Sequence, residues 1–520
     1  MAKEIELKLA FPPAAQAEIE AHPLIAGAAL RGEPKWLDNT YFDTPALNLH
    51  SERVAIRVRD TGSELLQTVK CAAASIGGLS IRPEWEQSFS GRFDFERVDA
   101  PAVRELLETH RDDLRPVFNT AFRRITRVVE PRPGVCILLM LDVGKIVSEG
   151  RECSIHELEL ELAAGTASDL RDFAIALAAE LPLLPFDDSK AQRGYQLFLK
   201  ESSKPLRAPK AGIRAEQRPR QAFLSLANQG LTCWQANLHG MLAHSDPEFL
   251  HQFRVALRRM NTLLRVFKPL LPAGFAQTWS ADLKAIASST GEARDLDVML
   301  DTVLRPMLAS GDKVRAKPVK RAIAACETAR DAAALGPARR LDGHTLLRFS
   351  RELSLLDSQA DDGDFARFAE QRLGDLHRRA MKRFQQVVRS HRAADAHRLR
   401  IALKHLRYAC EFFAELFDEV EMNQYAREVA GLQDDFGFVN DLYVALARLD
   451  GWAAQNGELA EARDYIARWH AGRIDEKFAK ALSRADDLLR ACLPWCGACE
   501  RHGFKSARKR IKQGVAVKLG

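Results

Sequence analysis

The stretch Glu4-Ile5-Glu6-Leu7-Lys8-Leu9 sets two carboxylates and an ammonium on one side of a strand and three aliphatic side chains on the other, because successive strand residues point to opposite faces. Like charges side by side repel, so such a row is built either for solvent or for a ligand that needs both signs. A divalent cation takes carboxylate oxygens, and a polyanion takes the ammonium and any basic groups nearby. Later stretches repeat the theme. Arg57 and Arg59 share a face in Val54–Arg59, Lys70 ends Leu65–Lys70, and Arg82, Glu84 and Glu86 alternate together. Phe122–Val128 offers Arg124 with Thr126 on one face or Arg123 with Arg127 on the other, and the apolar run from Cys136 reaches Asp142. Glu157, Glu159 and Glu161 alternate with Leu158, Leu160 and Leu162, and Lys190 and Arg193 follow an Asp187-Asp188-Ser189 turn.

Elements that could position these groups are legible in residues 1–202. The stretches read as strands, with helices expected over about 12–22, 100–110 and 167–181 and a turn at Gly77-Gly78. An antiparallel sheet with one wet face would show this pattern. So would a closed barrel with a charged, water-filled lumen and an apolar exterior covered by helices. In such a lumen carboxylates hold Mg²⁺ or Mn²⁺, Lys and Arg grip phosphate oxygens, and the metal orients an attacking water.

Glu-x-Glu-x-Lys near the start, Arg-Val-Arg, a later Lys, Arg-x-Glu and a late Glu-x-Glu resemble the CYTH family, the triphosphate tunnel metalloenzymes. The resemblance covers about residues 1–200. It implies an eight-stranded antiparallel β tunnel with flanking helices, a Mg²⁺ or Mn²⁺ cofactor and a substrate bearing a triphosphate. By position, it implies metal binding by Glu4, Glu6, Glu159 and Glu161, with Glu157 and Asp142 as further candidates. It assigns the triphosphate to Lys8, Arg57, Arg59, Lys70, Arg82, Arg124, Lys190 and Arg193, and the catalytic set to Glu4, Glu6, Lys8, Arg57, Arg59 and Lys70. Only Tyr41 and Trp85 offer rings to stack an organic group. The implied reaction is therefore hydrolysis of inorganic triphosphate to diphosphate and phosphate. Adenylate cyclase and thiamine triphosphatase are the alternatives within the fold, and a non-enzymatic polyphosphate-binding protein is the alternative outside it.

The 520 residues carry a net charge of +6 that hides an asymmetry. Residues 1–202 hold 24 Lys and Arg against 32 Asp and Glu, and the remainder holds 52 against 38. A basic half points to a polyanion partner. No signal peptide and no apolar run of membrane-spanning length is expected. Nine scattered cysteines read as reduced thiols in a cytoplasmic protein, with polyphosphate granules as a further location.

The expected organisation is two domains, α+β overall: the tunnel over 1–202, a basic Pro-containing linker over 203–218, a helical domain over 219–495 and a basic tail over 496–520. A repeat with a constant offset of 146 runs through the helical part. His251-x-x-Arg254-Val-Ala-Leu-x-Arg259 returns as His397-x-x-Arg400-Ile-Ala-Leu-x-His405, and Gly291-x-x-Arg294-Asp295 as Gly437-x-x-Asn440-Asp441. Duplication predicts two similar bundles, about 219–345 and 363–495. His251, Arg254 and Arg258, and then His397, Arg400 and Lys404, form a basic stripe in each, with Val255, Leu257, Ile401 and Leu403 turned towards the core. This half resembles the CHAD domain, which implies binding of inorganic polyphosphate by those six residues. Nucleic acid is disfavoured, since no aromatic side chains flank the stripes. Cys492, Cys496, Cys499 and His502 could form a Cys₃His zinc site, though their spacing follows no established pattern, and the tail cations Lys505, Arg508, Lys509, Arg510, Lys512 and Lys518 could add affinity for a polyanion.

Overall fold

The structure is a computed structural model that describes residues 3–71, 75–309, 316–335, 343–359 and 363–496. The chain divides into two compact units, residues 1–205 with 342–356, and residues 206–341 with 357–520.

Eight strands form the first unit's barrel: β1 (Lys3–Ala10), β2 (Lys35–Asp43), β3 (Val54–Asp60), β4 (Leu65–Cys71), β5 (Leu79–Ser88), β6 (Arg115–Val129), β7 (Cys136–Ser148) and β8 (Arg151–Ala164). Their order is β1-β8-β7-β6-β2-β3-β4-β5, every pair antiparallel, and β5 pairs back onto β1 to close the cylinder. The closed barrel, not the open sheet, is thus the form adopted. Closure removes both sheet edges, and with them the unpaired backbone groups that invite aggregation.

Alternation places aliphatics outside. Leu7, Leu9, Leu158, Leu160, Ile137, Leu139 and Leu141 are buried against the helix Ala167–Glu180, through its Leu170, Phe173, Ala174 and Leu177. That helix is started by a capping box in which Thr166 and Asp169 bond each other's backbone N–H, satisfying donors the first turn leaves open. Burying the aliphatics outside leaves the charged side chains nowhere to point but into the lumen.

The helix Gly343–Ser354 also belongs to this unit, although sequence places it between the two helical repeats. Its Leu347 is buried in the core beneath Ala167–Glu180, and Arg351 pairs with Asp172. Ala211 and Ile213 are buried in the second unit, and the Ile213 N–H donates to Glu415.

The second unit is helical, and the repeat offset recurs in its elements. Helices Pro219–Ala243 and Pro247–Phe267 in one half correspond to Phe365–Ser390 and Ala393–Phe413 in the other. Phe267 and Phe413, equivalent by the repeat, meet with ring centroids 5.7 Å apart, which places the pseudo-dyad between them. Phe275–Ser289 and Gly291–Val298 correspond to one uninterrupted helix, Glu419–Gln455. Leu257 and Leu403 are buried as expected, but Ile401 is exposed and Val255 half-buried. Ile401 lies on the flank of its helix that lines a groove, so the inward reading of that position is corrected.

Cys71, Cys136, Cys153, Cys233, Cys326, Cys410 and Cys496 carry free thiols. Cys499, His502 and the basic tail lie outside the described residues. No helix among the described residues is long and apolar enough to cross a membrane.

Candidate active site in the barrel lumen

The lumen encloses a cavity of about 600 Å³. Glu4, Glu6 and Lys8 from β1 line it with Arg57, Arg59, Lys70, Arg82, Arg124, Glu159, Glu161 and Lys190, whereas Arg193 and the further candidates Glu157 and Asp142 lie outside the lining. The Arg193 guanidinium pairs with Glu157 in the wall behind and lies over the Phe186 ring. Glu84 and Glu86 of β5 also face the cavity. Arg124, not Arg123, takes the inward position on β6, opposite Asp142 of β7 in register. Trp85 faces the outer core and donates to Asp99, while Tyr41 lines the cavity and stacks on Phe118 at 4.6 Å.

Pairing divides the lumen into zones with different roles. Lys190 is buried with three carboxylates, Asp142 at 2.8 Å and Glu157 and Glu159 at 2.7 Å each. Arg124 bonds Asp142 at 2.6 and 2.7 Å and Glu159 at 2.5 Å. Burial alone would raise the Glu159 carboxyl, but Lys190 and Arg124 hold it well below the usual carboxylate range. This knot is internally neutralised. In a second cluster Lys70 bonds Glu4 at 3.2 Å and Glu84 at 2.8 Å, and Arg82 bridges Glu4 and Glu6.

Between them lie cations without a close carboxylate, although the Arg59 Nε donates to Asn39 Oδ1 at 2.9 Å and Arg57 is hydrogen-bonded to Tyr41. Arg57 is 3.8 Å from Glu84 and Arg59 4.0 Å from Glu86, beyond hydrogen-bond reach. The Arg57 Nε is buried with no acceptor among the described residues. Arg59 is pushed down to about 10 by burial and by the neighbouring Arg57 and Arg124, which marks uncompensated positive charge. Lys8 donates to the Asp188 carbonyl at 2.9 Å. These groups have spare donors for an anion.

Spare acceptors lie beside them. Glu6 and Glu161 face each other across β1 and β8 in register. Glu6 Oε1 is buried without a donor among the described residues. Burial and then Glu159 push the Glu6 carboxyl up, and burial and then Glu4 and Glu84 push Glu161 up. Glu6, whose other oxygen is bonded by Arg82, and Glu161 offer oxygens that suit a hard divalent cation. Among the described residues no three such side chains gather tightly enough to hold an ion unaided. Glu4 and Glu159, also singled out as ligands, are engaged by Lys70 and Arg82 and by Arg124 and Lys190 respectively.

One support was not legible in the sequence. The buried Asp43 carboxylate accepts from the N–H groups of Thr44, Leu49 and His50 and from the Tyr195 hydroxyl at 2.8 Å. It thereby fastens the helix Lys190–Phe198 to the barrel and fixes where Lys190 enters. Gly194 makes the approach possible, because a Cβ there would overlap the Phe118 ring. Gly194→Ala is expected to cost about 1–3 kcal/mol through overpacking and to raise KM, as checked by denaturation and steady-state kinetics together.

In the second unit the two stripes converge. Lys404 is brought down to about 8 by burial and then by Arg258, Arg400 and Arg254, so cations from both repeats lie within one field. His397 Nδ1 is buried without a partner among the described residues, and burial with Arg294 nearby keeps His251 below its ordinary value. Arg254 is held by the Ala287 carbonyl and by Thr290, and Arg400 packs where a Cβ on Gly437 would come within 3.2 Å of its Nε. Gly437 therefore leaves room for Arg400, whereas a Cβ on Gly291 would make only ordinary contact with Arg254 at 3.9 Å.

Comparison with known proteins agrees with both halves. Residues 2–195 match the CYTH domain and residues 225–450 the CHAD domain. An inorganic triphosphatase of Haemophilus influenzae is 29% identical over 269 residues, 51% of this chain and 76% of that protein. Among solved structures, the CHAD domain of the plant Ricinus communis is 31% identical, with 54% of this chain and 97% of that chain covered and a TM-score of 0.45. A candidate adenylyl cyclase from Hippeastrum with a dominant triphosphatase activity is 20% identical, covering 37% of this chain and 95% of that one, with a TM-score of 0.28. A charged, closed barrel followed by a duplicated helical unit, each matched by its own domain family, makes this chain a CYTH domain joined to a CHAD domain.

Proposed function

We propose that the barrel hydrolyses inorganic triphosphate to diphosphate and phosphate with Mg²⁺ or Mn²⁺, and that the helical unit binds inorganic polyphosphate through its paired stripes. The observation that carries the first part is the pair of orphaned atoms in one lumen, the Arg57 Nε donor and the Glu6 Oε1 acceptor. A phosphate oxygen would satisfy one and a cation the other, and buried polar atoms rarely stay unpaired.

In this reading Glu6 and Glu161 hold the metal. When bound, it neutralises phosphate charge and orients the attacking water. Lys8, Arg57, Arg59 and Lys70 grip the phosphate oxygens, offering preorganised charge where the leaving diphosphate accumulates it. Arg82, Arg124 and Lys190 keep the acidic wall folded and in place. A bare triphosphate needs only these charges.

The test is phosphate release by the full chain from inorganic triphosphate, ATP and thiamine triphosphate, with Mg²⁺, with Mn²⁺ and with chelator. Inorganic triphosphate is expected to turn over at least about tenfold faster than either organic substrate, a difference of about 1.4 kcal/mol. The metal-free reaction is expected at background. Release of cyclic product from ATP, or polyphosphate binding with no turnover of any substrate, would overturn the assignment.

A further inference from the structure

The duplicated unit is symmetric in its stripes but not beside its pseudo-dyad. On one side Arg259 pairs with Glu411 and lies over the Tyr408 and Phe412 rings at 5.3 and 5.1 Å. By the repeat offset the equivalents of Arg259 and Glu411 are His405 and Arg265. They face one another across the other side of the dyad, where two bases cannot neutralise each other. His405 accepts or donates a bond to the Thr262 hydroxyl at 2.8 Å, and burial followed by Arg265, Lys404, Arg379 and Lys284 lowers it to about 3.

The groove there runs through two adjoining cavities, of about 590 and 460 Å³, that share Arg265 and Arg379. No Asp or Glu lines either one. Lys268, Lys284 and Lys382 add to the wall. None of these five cations has an anionic partner among the described residues, and all are exposed. Their equivalents in the other repeat are Glu411 for Arg265, Ala414 for Lys268, Ala430 for Lys284, Cys233 for Arg379 and Ala236 for Lys382. Positive charge without a carboxylate is therefore concentrated on one side of the dyad, whereas on the matching side Arg259 is paired with Glu411. A generally basic surface would have no reason to follow that boundary.

We infer that this one-sided groove is a second anion site, distinct from the paired stripes, that takes a further stretch of a linear phosphate chain. The inference rests on the reading of the helical unit as a polyphosphate binder. Phosphoanhydride chains suit it because each unit carries charge, so a row of spaced cations is engaged without any group to stack or read. Lys404 lies near both Arg258 of the stripe and His405 of the groove.

The test is titration of the full chain with long linear polyphosphate at several salt concentrations. Arg265→Gln with Arg379→Gln is expected to weaken binding about tenfold and to reduce the salt slope by about one to two, as release of fewer counterions requires. Lys145→Gln with Lys480→Gln removes the same charge elsewhere and is expected to leave affinity within about twofold. Arg258→Gln with Lys404→Gln tests the stripe separately. Unchanged binding by the groove variant, or an equal loss in the distant control, overturns the groove while leaving the stripe reading intact. Failure of the wild-type chain to bind polyphosphate at any salt concentration overturns both.

Discussion

Glu6→Gln combined with Glu161→Gln is expected to lower metal-dependent release of phosphate from inorganic triphosphate by about 10³-fold, the several kcal/mol that a bound cation contributes to charge stabilisation in phosphoryl transfer. The same variant is expected to stay folded, with relief of two carboxyls raised by burial set against loss of the Glu6–Arg82 pair. Both carboxyls are raised, Glu6 by burial and Glu159, Glu161 by burial, Glu4 and Glu84. A carboxyl whose folded value lies above its unfolded one destabilises the fold, and that penalty grows as pH rises from the unfolded value through the folded one. Neutral amides remove the penalty at neutral pH. Steady-state kinetics beside thermal unfolding at pH 7 check the pair of outcomes. Lost turnover in a variant that stays folded fits cation ligands. Full turnover in the double variant would remove these residues from the metal site.

The opposite balance holds at Lys190. Its ammonium is buried among Asp142, Glu157 and Glu159. Lys190→Met would leave those carboxylates with Arg124 and Arg193 alone, and breaking a buried ion network from one side costs about 3–5 kcal/mol. The pH dependence has a definite sign. Burial would raise Glu157 and Glu159, but Arg193 with Lys190 lowers the first, and Lys190 with Arg124 lowers the second well below its ordinary value. Stability from a depressed carboxyl is complete above the ordinary carboxylate range and is lost as pH falls through the depressed value. The gap between wild type and Lys190→Met should therefore be widest at neutral pH and close only in strong acid. Urea unfolding of both proteins across that range measures it. A gap that widened on acidification would contradict the network.

How much of this the sequence disclosed depends on the distance over which each residue acts. Alternation in Glu4–Leu9 and in Glu157–Leu162 identifies which side chains share a face, because strand geometry is local. It cannot say which cation is already satisfied, since the partners of Lys190 lie 31 to 48 residues away on other strands. Hence Arg57 and Lys190 read alike as phosphate grippers, although one has a vacant donor and the other none. Asp43 and Tyr195 were invisible for the same reason, as the bond between them spans 152 positions. The 146-residue repeat disclosed the stripes because it compares like with like. Its departures, such as Arg265 against Glu411, acquire meaning only once the helices Pro247–Phe267 and Ala393–Phe413 are seen to cross.

The helix Gly343–Ser354, packed into the barrel unit from between the helical repeats, changes what it means to cut this protein in two. The backbone passes from one unit to the other near residues 205, 341 and 356. A single protease nick near residue 205 would free residues 1–205 from the rest of the backbone, leaving them held only by non-covalent packing on residues 342–356. A gene truncated at that point would encode a barrel without Leu347 beneath its helix and without the Arg351–Asp172 pair. Lower solubility of such a fragment would then report a missing structural part rather than a lost partner. An independent barrel is better made by grafting residues 342–356 back through a short Gly/Ser spacer than by stopping the chain at the apparent boundary.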